Sequence, residues 1–410
     1  MKIDSSLPTD ILDVISELKK IENGKFYFVG GMVRDSLLSA KLSDVDLATN
    51  LKPDEIIAHF ERNTEYRLIL VGCRFGTVGI AKINDSKNYS VRSVSGIVEV
   101  TTFRSDGEYF DNRHPDSVNF SADIKDDLSR RDFTMNAIAV SLDDVHEFID
   151  PFYGISDIND RLIRTVGDAK KRFSEDGLRI LRAYRFAAQL GFSLDEELRI
   201  AAKELLPSLL PKLAAERVTE EIRKTVLAEN AEKSVEFMTE DGIADILFGQ
   251  KISFTGLQEI KPKLPMRMAF LLKGVGDAEK VVAKLTFSNE EKDDIMFLVK
   301  ADYAILDEIF FDDFSLAKHL NNFSEKKVRL LAEYFNREDL LLRLELFLGQ
   351  NLAVYVNDLD ITGSEIAEIL EVPIGPKIGE IKKILLERVQ RDQTLNDNSI
   401  LRDMVEEIKE

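Results

Sequence analysis

The chain has 410 residues, 44% of them hydrophobic and 31% charged, with a net charge of −19; this allows two to four domains with ample cores and excludes wholesale disorder. A single cysteine, Cys73, and four scattered histidines exclude an intramolecular disulfide and a cysteine-based zinc cluster, and fit a reducing, cytoplasmic compartment. No stretch reaches the ~18 to 20 apolar residues that a membrane-spanning helix needs.

The acidic total argues at first against an anionic partner, but the charge is uneven. Residues 1–230 carry 32 Lys and Arg against 39 Asp and Glu, whereas residues 231–410 carry 23 against 35. Between 161 and 185 the sign reverses, with eight basic residues against three acidic. Local charge decides where an anion can sit.

In chain order, short apolar or alternating runs at 26–28, 45–48, 67–71, 77–83 and 97–103 predict strands, interleaved with helix-like segments. They imply an α/β head ending near residue 160. From 161 onward the spacing turns helical, with almost no alternating runs, and the remainder is expected to be all helical.

The first chemically rich stretch is "FYFVGGMVRDSLLSAKLSDVDLATN" at 26–50. A strand runs into Gly30 and Gly31, and a short helix carrying Arg34 and Asp35 follows. Adjacent glycines let a ligand approach the backbone, and a helix start offers free N–H groups to phosphate. Asp44 and Asp46 then flank Val45 in a strand-like run, where a period of two turns both carboxylates to one face. Two like charges so close call for a divalent cation, and oxygen ligands favour Mg2+. A solvated strand edge is the plainer alternative. Glu99, in the alternating run "VEVTTFR", could complete a metal site, take a proton from an attacking hydroxyl, or be an exposed strand residue.

"RSDGEYFDNRHP" at 104–115, with Asp106, Gly107 and Arg113, has the composition of a polar loop or a surface hairpin connection. Next, "RRDFTMNAIAV" at 130–140 reads as the head of a helix whose apolar residues are buried, leaving Arg131 and Asp132 at a rim to hold a phosphate and a ribose hydroxyl. In "FSEDGLRILRAYRFAAQLGF", helical spacing lines up Asp176, Arg179, Arg182 and Arg185 as a polar stripe. Asp and Arg together offer the acceptors and the planar donors that recognise a base edge. A structural Arg–Asp pair is the alternative at both places.

Taken in this order, the segments resemble the class II tRNA nucleotidyltransferases, the family of the CCA-adding enzymes and bacterial poly(A) polymerases within the polymerase-β-like superfamily. The match covers roughly residues 25–225. "GGMVRD" followed by "DVDL" resembles the catalytic motif with metal-binding Asp44 and Asp46; "RRDFTMNA" resembles the ribose- and phosphate-contacting motif with Arg131 and Asp132. "EDGLR" resembles the amino-acid template, in which Asp176 and Arg179 bond the incoming base, and Arg182 and Arg185 fall where the family holds nucleotide. The 104–115 segment resembles the loop needed for adding the terminal A.

The resemblance implies an α+β fold: a mixed-sheet head (1–160), then a helical neck (161–230), body (231–325) and tail (326–410). It also implies addition of CMP and AMP from CTP and ATP to the 3′ end of tRNA with Mg2+. An A-adding enzyme working beside a CC-adding partner, a poly(A) polymerase, a non-catalytic RNA-binding module and a nucleotide-binding regulatory protein are the competing expectations. Oligomeric state is left open.

Overall fold

In a computed structural model, residues 7–42, 45–83, 96–106, 118–144 and 147–409 are described. Asp44, Gly107 and Arg113 lie outside them, as does the side chain of Asp106. The described chain divides into two compact units, residues 1–258 with 284–286, and residues 259–283 with 287–410.

The first unit begins with helix α1 (Thr9–Leu18) and is built on the expected strands. These are β1 (Phe26–Val29), β2 (Val45–Thr49), β3 (Tyr66–Ile69), β4 (Thr77–Lys82) and β5 (Val98–Thr102), with α2 (Gly31–Leu37) and α3 (Pro53–Phe60) between them. Their β-branched and aromatic residues bury Phe28, Leu47, Val78, Ile80, Val98 and Val100 almost completely. A short hairpin, β6 (Arg104–Asp106) with β7 (Val118–Phe120), follows β5. Two strands that the sequence reading did not anticipate, β8 (Ala139–Ser141) and, at the edge, β9 (Phe148–Ile149), complete a seven-stranded sheet of order β3-β4-β5-β2-β1-β8-β9. Only β2 and β5 run parallel within it, with Asp46 opposite Glu99.

The "RRDFTMNAIAV" stretch is not the head of a helix. Helix α4 (Ile124–Ser129), capped by the Asp123 side chain on the Lys125 N–H, ends before it. Phe133 instead bridges Thr165, a 3-10 turn spans Thr134–Asn136, and the following residues enter β8. Ile138, Ala139 and Val140 are all fully buried, an unbroken run that a helix with one buried face would not give. Arg130 and Arg131 therefore sit at a helix C-terminus, where cations are favoured by the helix dipole.

After α5 (Gly154–Asn159) the chain is helical, as expected, except for a parallel pair of two-residue strands, β10 (Leu162–Ile163) and β11 (Ser193–Leu194). Helices α6 (Ala169–Glu175), α7 (Leu178–Leu190), α8 (Glu196–Leu209) and α9 (Ala215–Val226) come next, then α10 (Ala231–Glu240) and α11 (Ile243–Phe248). The "FSEDGLR" segment is thus two helices, broken at Asp176 and Gly177, and α7 packs closely on α9 and α10. The second unit is helical from Leu264–Leu272 to Asn398–Lys409, around two apolar cores. Among the described residues no helix is long and apolar enough to cross a membrane.

Candidate nucleotide-binding site

One cavity of about 630 Å³ opens in the first unit, lined by seven arginines and four aspartates. Its wall collects Gly30, Gly31, Arg34 and Asp35 from the β1–α2 turn, and Asp46 from β2. Arg131 and Asp132 join from the segment after α4, and Asp176, Arg179, Arg182 and Arg185 from the end of α6 and from α7. Glu99 does not line it, although it stands beside Asp46 in the sheet and is exposed.

The turn after β1 needs its glycines. Gly30 has φ +71°, and a Cβ there would come within 3.0 Å of Arg131 Nη1 and 3.8 Å of Asp46 Oδ2. Arg34, 8% exposed, donates through Nη1 to Asn136 Oδ1 at 2.9 Å and through Nε to Asp35 at 2.8 Å. Asn136, brought in by the 3-10 turn, also donates to Asp132 Oδ1 at 3.1 Å.

Arg130 and Arg131 are held from below by Asp127, fully buried in α4, at 2.6 and 2.9 Å. Burial alone would raise the Asp127 pKa, but the two guanidiniums outweigh it and the carboxyl lies below its ordinary range. The same contest at Asp132 ends at a pKa of about 2: burial raises it, while Arg182 and the Asn136 hydrogen bond lower it further. Asp132 Oδ2 accepts both Nε and Nη2 of Arg182, at 2.9 and 2.6 Å, and Oδ1 accepts the Phe133 N–H and Asn136. Four donors fill what a carboxylate can ordinarily accept.

Asp176 differs. Its Oδ1 accepts the Leu178 N–H at 3.0 Å and its Oδ2 accepts Arg217 Nη2 at 2.9 Å, so acceptor capacity is left over. Arg179 does not pair with it through its side chain; Arg179 Nη1 donates to Glu175 at 2.6 Å and to the Arg172 carbonyl, and Nη2 to the Arg130 carbonyl. Three guanidiniums gather around the Phe186 ring, those of Arg185, Arg34 and Arg182 at 4.1, 5.0 and 5.6 Å from its centroid. Arg185 Nε lies 3.1 Å from Glu221 Oε2 on α9, yet neither atom has a hydrogen-bond partner; burial pushes the Arg185 pKa down and that of Glu221 up.

Sequence reasoning missed Asn136, Phe186, Arg217 and Glu221. The first two sit inside quoted motifs, but nothing local marks α9, whose partners lie about forty residues away in the chain. Among the described residues no group of three or more His, Cys, Asp or Glu is arranged to hold a metal. Asp46 and its register neighbour Glu99 are nonetheless hard-oxygen donors of the type that suits a divalent cation.

Residues 26–164 match the family model described as the Poly A polymerase head domain, and residues 191–251 the one described as the probable RNA and SrmB-binding site of polymerase A. The chain is 30% identical to a CCA-adding enzyme of Leuconostoc mesenteroides subsp. mesenteroides over 419 aligned residues, 99% of this chain and 98% of that one. It is 42% identical to a CCA-adding enzyme of Geobacillus thermodenitrificans over 58% of this chain and 54% of that protein. Its fold matches that of a Bacillus stearothermophilus CCA-adding enzyme crystallised with CTP, with a TM-score of 0.77 at 28% identity over 97% of this chain and 96% of that one.

Proposed function

The chain belongs to the CCA-adding enzymes, a family of tRNA nucleotidyltransferases, and from that premise we propose that it adds CMP and AMP, from CTP and ATP, to the 3′ end of tRNA. The terminal 3′-hydroxyl of the tRNA attacks the α-phosphorus of the nucleotide, and pyrophosphate leaves. The observation that carries this reading is one cavity whose wall brings together a strand carboxylate, Asp46, an arginine-rich surface and both Asp176 and Arg179.

Arg34 and Arg131 stand where they can hold the polyphosphate, and Gly30 and Gly31 leave it room. Asp132, its acceptors filled, acts by fixing Arg182 and Asn136 in place rather than by bonding a ribose hydroxyl directly. Asp176 accepts from the exocyclic amino group that cytosine and adenine share, and Arg179 donates to the ring. An unmatched base leaves buried polar groups unpaired, which is how such a site discriminates.

Asp46, with Asp44 two residues before it, supplies donors for Mg2+, and Glu99 is the neighbouring source of a third oxygen. When bound, the metal would activate the hydroxyl and offset charge on the leaving oxygens. Asp106, Gly107 and Arg113 are assigned to addition of the terminal A. Residues 1–160 serve as head and 161–230 as neck, with body and tail from 231 and 326 gripping the tRNA in the cytoplasm.

The test supplies the purified protein with Mg2+, CTP, ATP and tRNAs ending at the discriminator base, at C and at CC, and sequences the products. CCA completed on all three is expected. A added only to the CC-ending tRNA would make the protein the A-adding half of a pair, a long A tail would make it a poly(A) polymerase, and no addition to any would overturn the reading.

A further inference from the structure

Helix α9 carries Arg217 and Glu221 four residues apart, hence on one face, and each pairs with a residue of the cavity wall. Arg217 holds Asp176 Oδ2 at 2.9 Å, and Glu221 lies 3.1 Å from Arg185. The two contacts run in opposite senses of charge between the same two segments. We infer that Arg217 is a specificity-determining residue, which sets nucleobase choice by fixing the carboxylate plane of Asp176 through a charge-assisted bond across the α7–α9 packing.

The inference rests on the transferase reading above and deepens it. Asp176 lies in extended backbone between α6 and α7, with φ −143° and ψ 105°, and its backbone is tied to α7 through its carbonyl, which accepts the Arg179 N–H at 3.0 Å. Its terminal side-chain torsion is of the broad, roughly two-fold kind. The Leu178 N–H restrains Oδ1 only from the side of α7. Arg217, 28% exposed and itself on the cavity wall, restrains Oδ2 from the opposite helix. With both oxygens restrained, the remaining acceptor positions point one way, and a base is read by whether it presents an amino group there. Cytosine does; uracil presents a carbonyl oxygen at the same position, and two acceptors facing each other repel. If the carboxylate could turn, it would turn away from the carbonyl, and the penalty for uracil would fall.

Glu221 provides the internal comparison. It packs on the same helix face but bonds no template residue, and it does not line the cavity. A merely structural role for the α9 face would make Glu221→Gln and Arg217→Ala alike, slowing every nucleotide together.

The test measures kcat/KM for CTP and for UTP on a tRNA ending at the discriminator base, using the full-length chain. Arg217→Ala is expected to lower the CTP to UTP ratio roughly tenfold, the scale of one lost charge-assisted bond. Arg217→Lys, which keeps the charge but not the planar fork, should recover part of the ratio. Glu221→Gln should leave the ratio where the wild type has it while lowering turnover on both nucleotides. An unchanged ratio in both Arg217 variants overturns the inference, as does an equal fall in Glu221→Gln. Should Arg217→Ala not fold, Arg217→Gln, which removes the charge but keeps most of the side chain, decides in its place, since an unaltered ratio there is incompatible with a charge-assisted role. A wild-type protein that incorporates neither nucleotide takes down the transferase reading and this inference with it, whereas a working enzyme with an indifferent Arg217 takes down the inference alone.

Discussion

Asp132 and Asp176 are both aspartates on the cavity wall bonded to arginines, and the difference between them lies in how many donors each accepts. Asp132 takes four, is 8% exposed and has a pKa of about 2, below the ordinary range of an aspartate. A depressed carboxyl contributes stability above its unfolded pKa and loses it as pH falls through the folded one. The contribution, about 2 kcal/mol by linkage, should therefore be present above roughly pH 4 and fade toward pH 2. Asp132→Asn should lower the thermal unfolding midpoint of the first unit at neutral pH, and the gap from the wild type should close across that window. A gap that stays constant down to pH 2 would deny the ion pair its role. Asp46 is a different case, a half-buried carboxylate in a strand whose other residues are buried. Asp46→Ala should abolish nucleotide incorporation while filter binding of tRNA stays largely intact; retained turnover would remove Asp46 from the chemistry.

At the scale of elements, the cavity depends on short pieces that are packed too tightly to yield. Gly154 opens α5 against the 3-10 turn, where an added Cβ would lie 2.2 Å from the Thr134 carbonyl oxygen and 2.9 Å from Ile138. The backbone there leads directly into Asn136, which bonds both Arg34 and Asp132. Gly154→Ala should therefore cost at least the roughly 1–3 kcal/mol typical of overpacking and raise the KM for nucleotide, read by a thermal melt beside a nucleotide titration. An unshifted melting midpoint would mean that the turn can move without disturbing the site. Strands β1 to β5 and the Arg179–Arg185 stripe of α7 were legible in the sequence because alternation and three-residue spacing are local signals, whereas Asp176, read onto the same helix, lies in the break before it. The placement of Arg131 and Asp132 was not, since a capped helix start and a helix end running into a strand carry similar polar residues. Phe133 settles the matter only by pairing with Thr165, a partner thirty-two residues on. Arg217 and Glu221 were invisible for the same reason: on a helix rich in Glu, Lys and Arg, no spacing tells the charge that faces a cavity from the charge that faces water.

For the whole molecule, the question is how a chain of net charge −19 holds a polyanion. The cavity proposed for the nucleotide offers an answer there, since seven arginines outnumber four aspartates on its wall. Elsewhere several of the cations are already engaged. In the second unit Lys263 pairs with Glu333, Lys300 with Glu279, Lys327 with Asp293, Arg329 with Glu325 and Arg337 with Asp339. A phosphate would have to displace a carboxylate from each, and exposed pairs of this kind gain or lose little energy in the exchange. Residues 231–410, with 23 basic residues against 35 acidic, thus repel the tRNA backbone more than they attract it. Recognition must then lean on shape and hydrogen bonds more than on released counterions. The logarithm of tRNA affinity against the logarithm of salt concentration should fall with a slope of about −3 or shallower, the release from some three or four phosphates. A slope twice as steep in a filter-binding titration would mean that the paired lysines and arginines of the second unit exchange their carboxylates for phosphates, and the acidic surface would be a reserve of partners rather than a barrier.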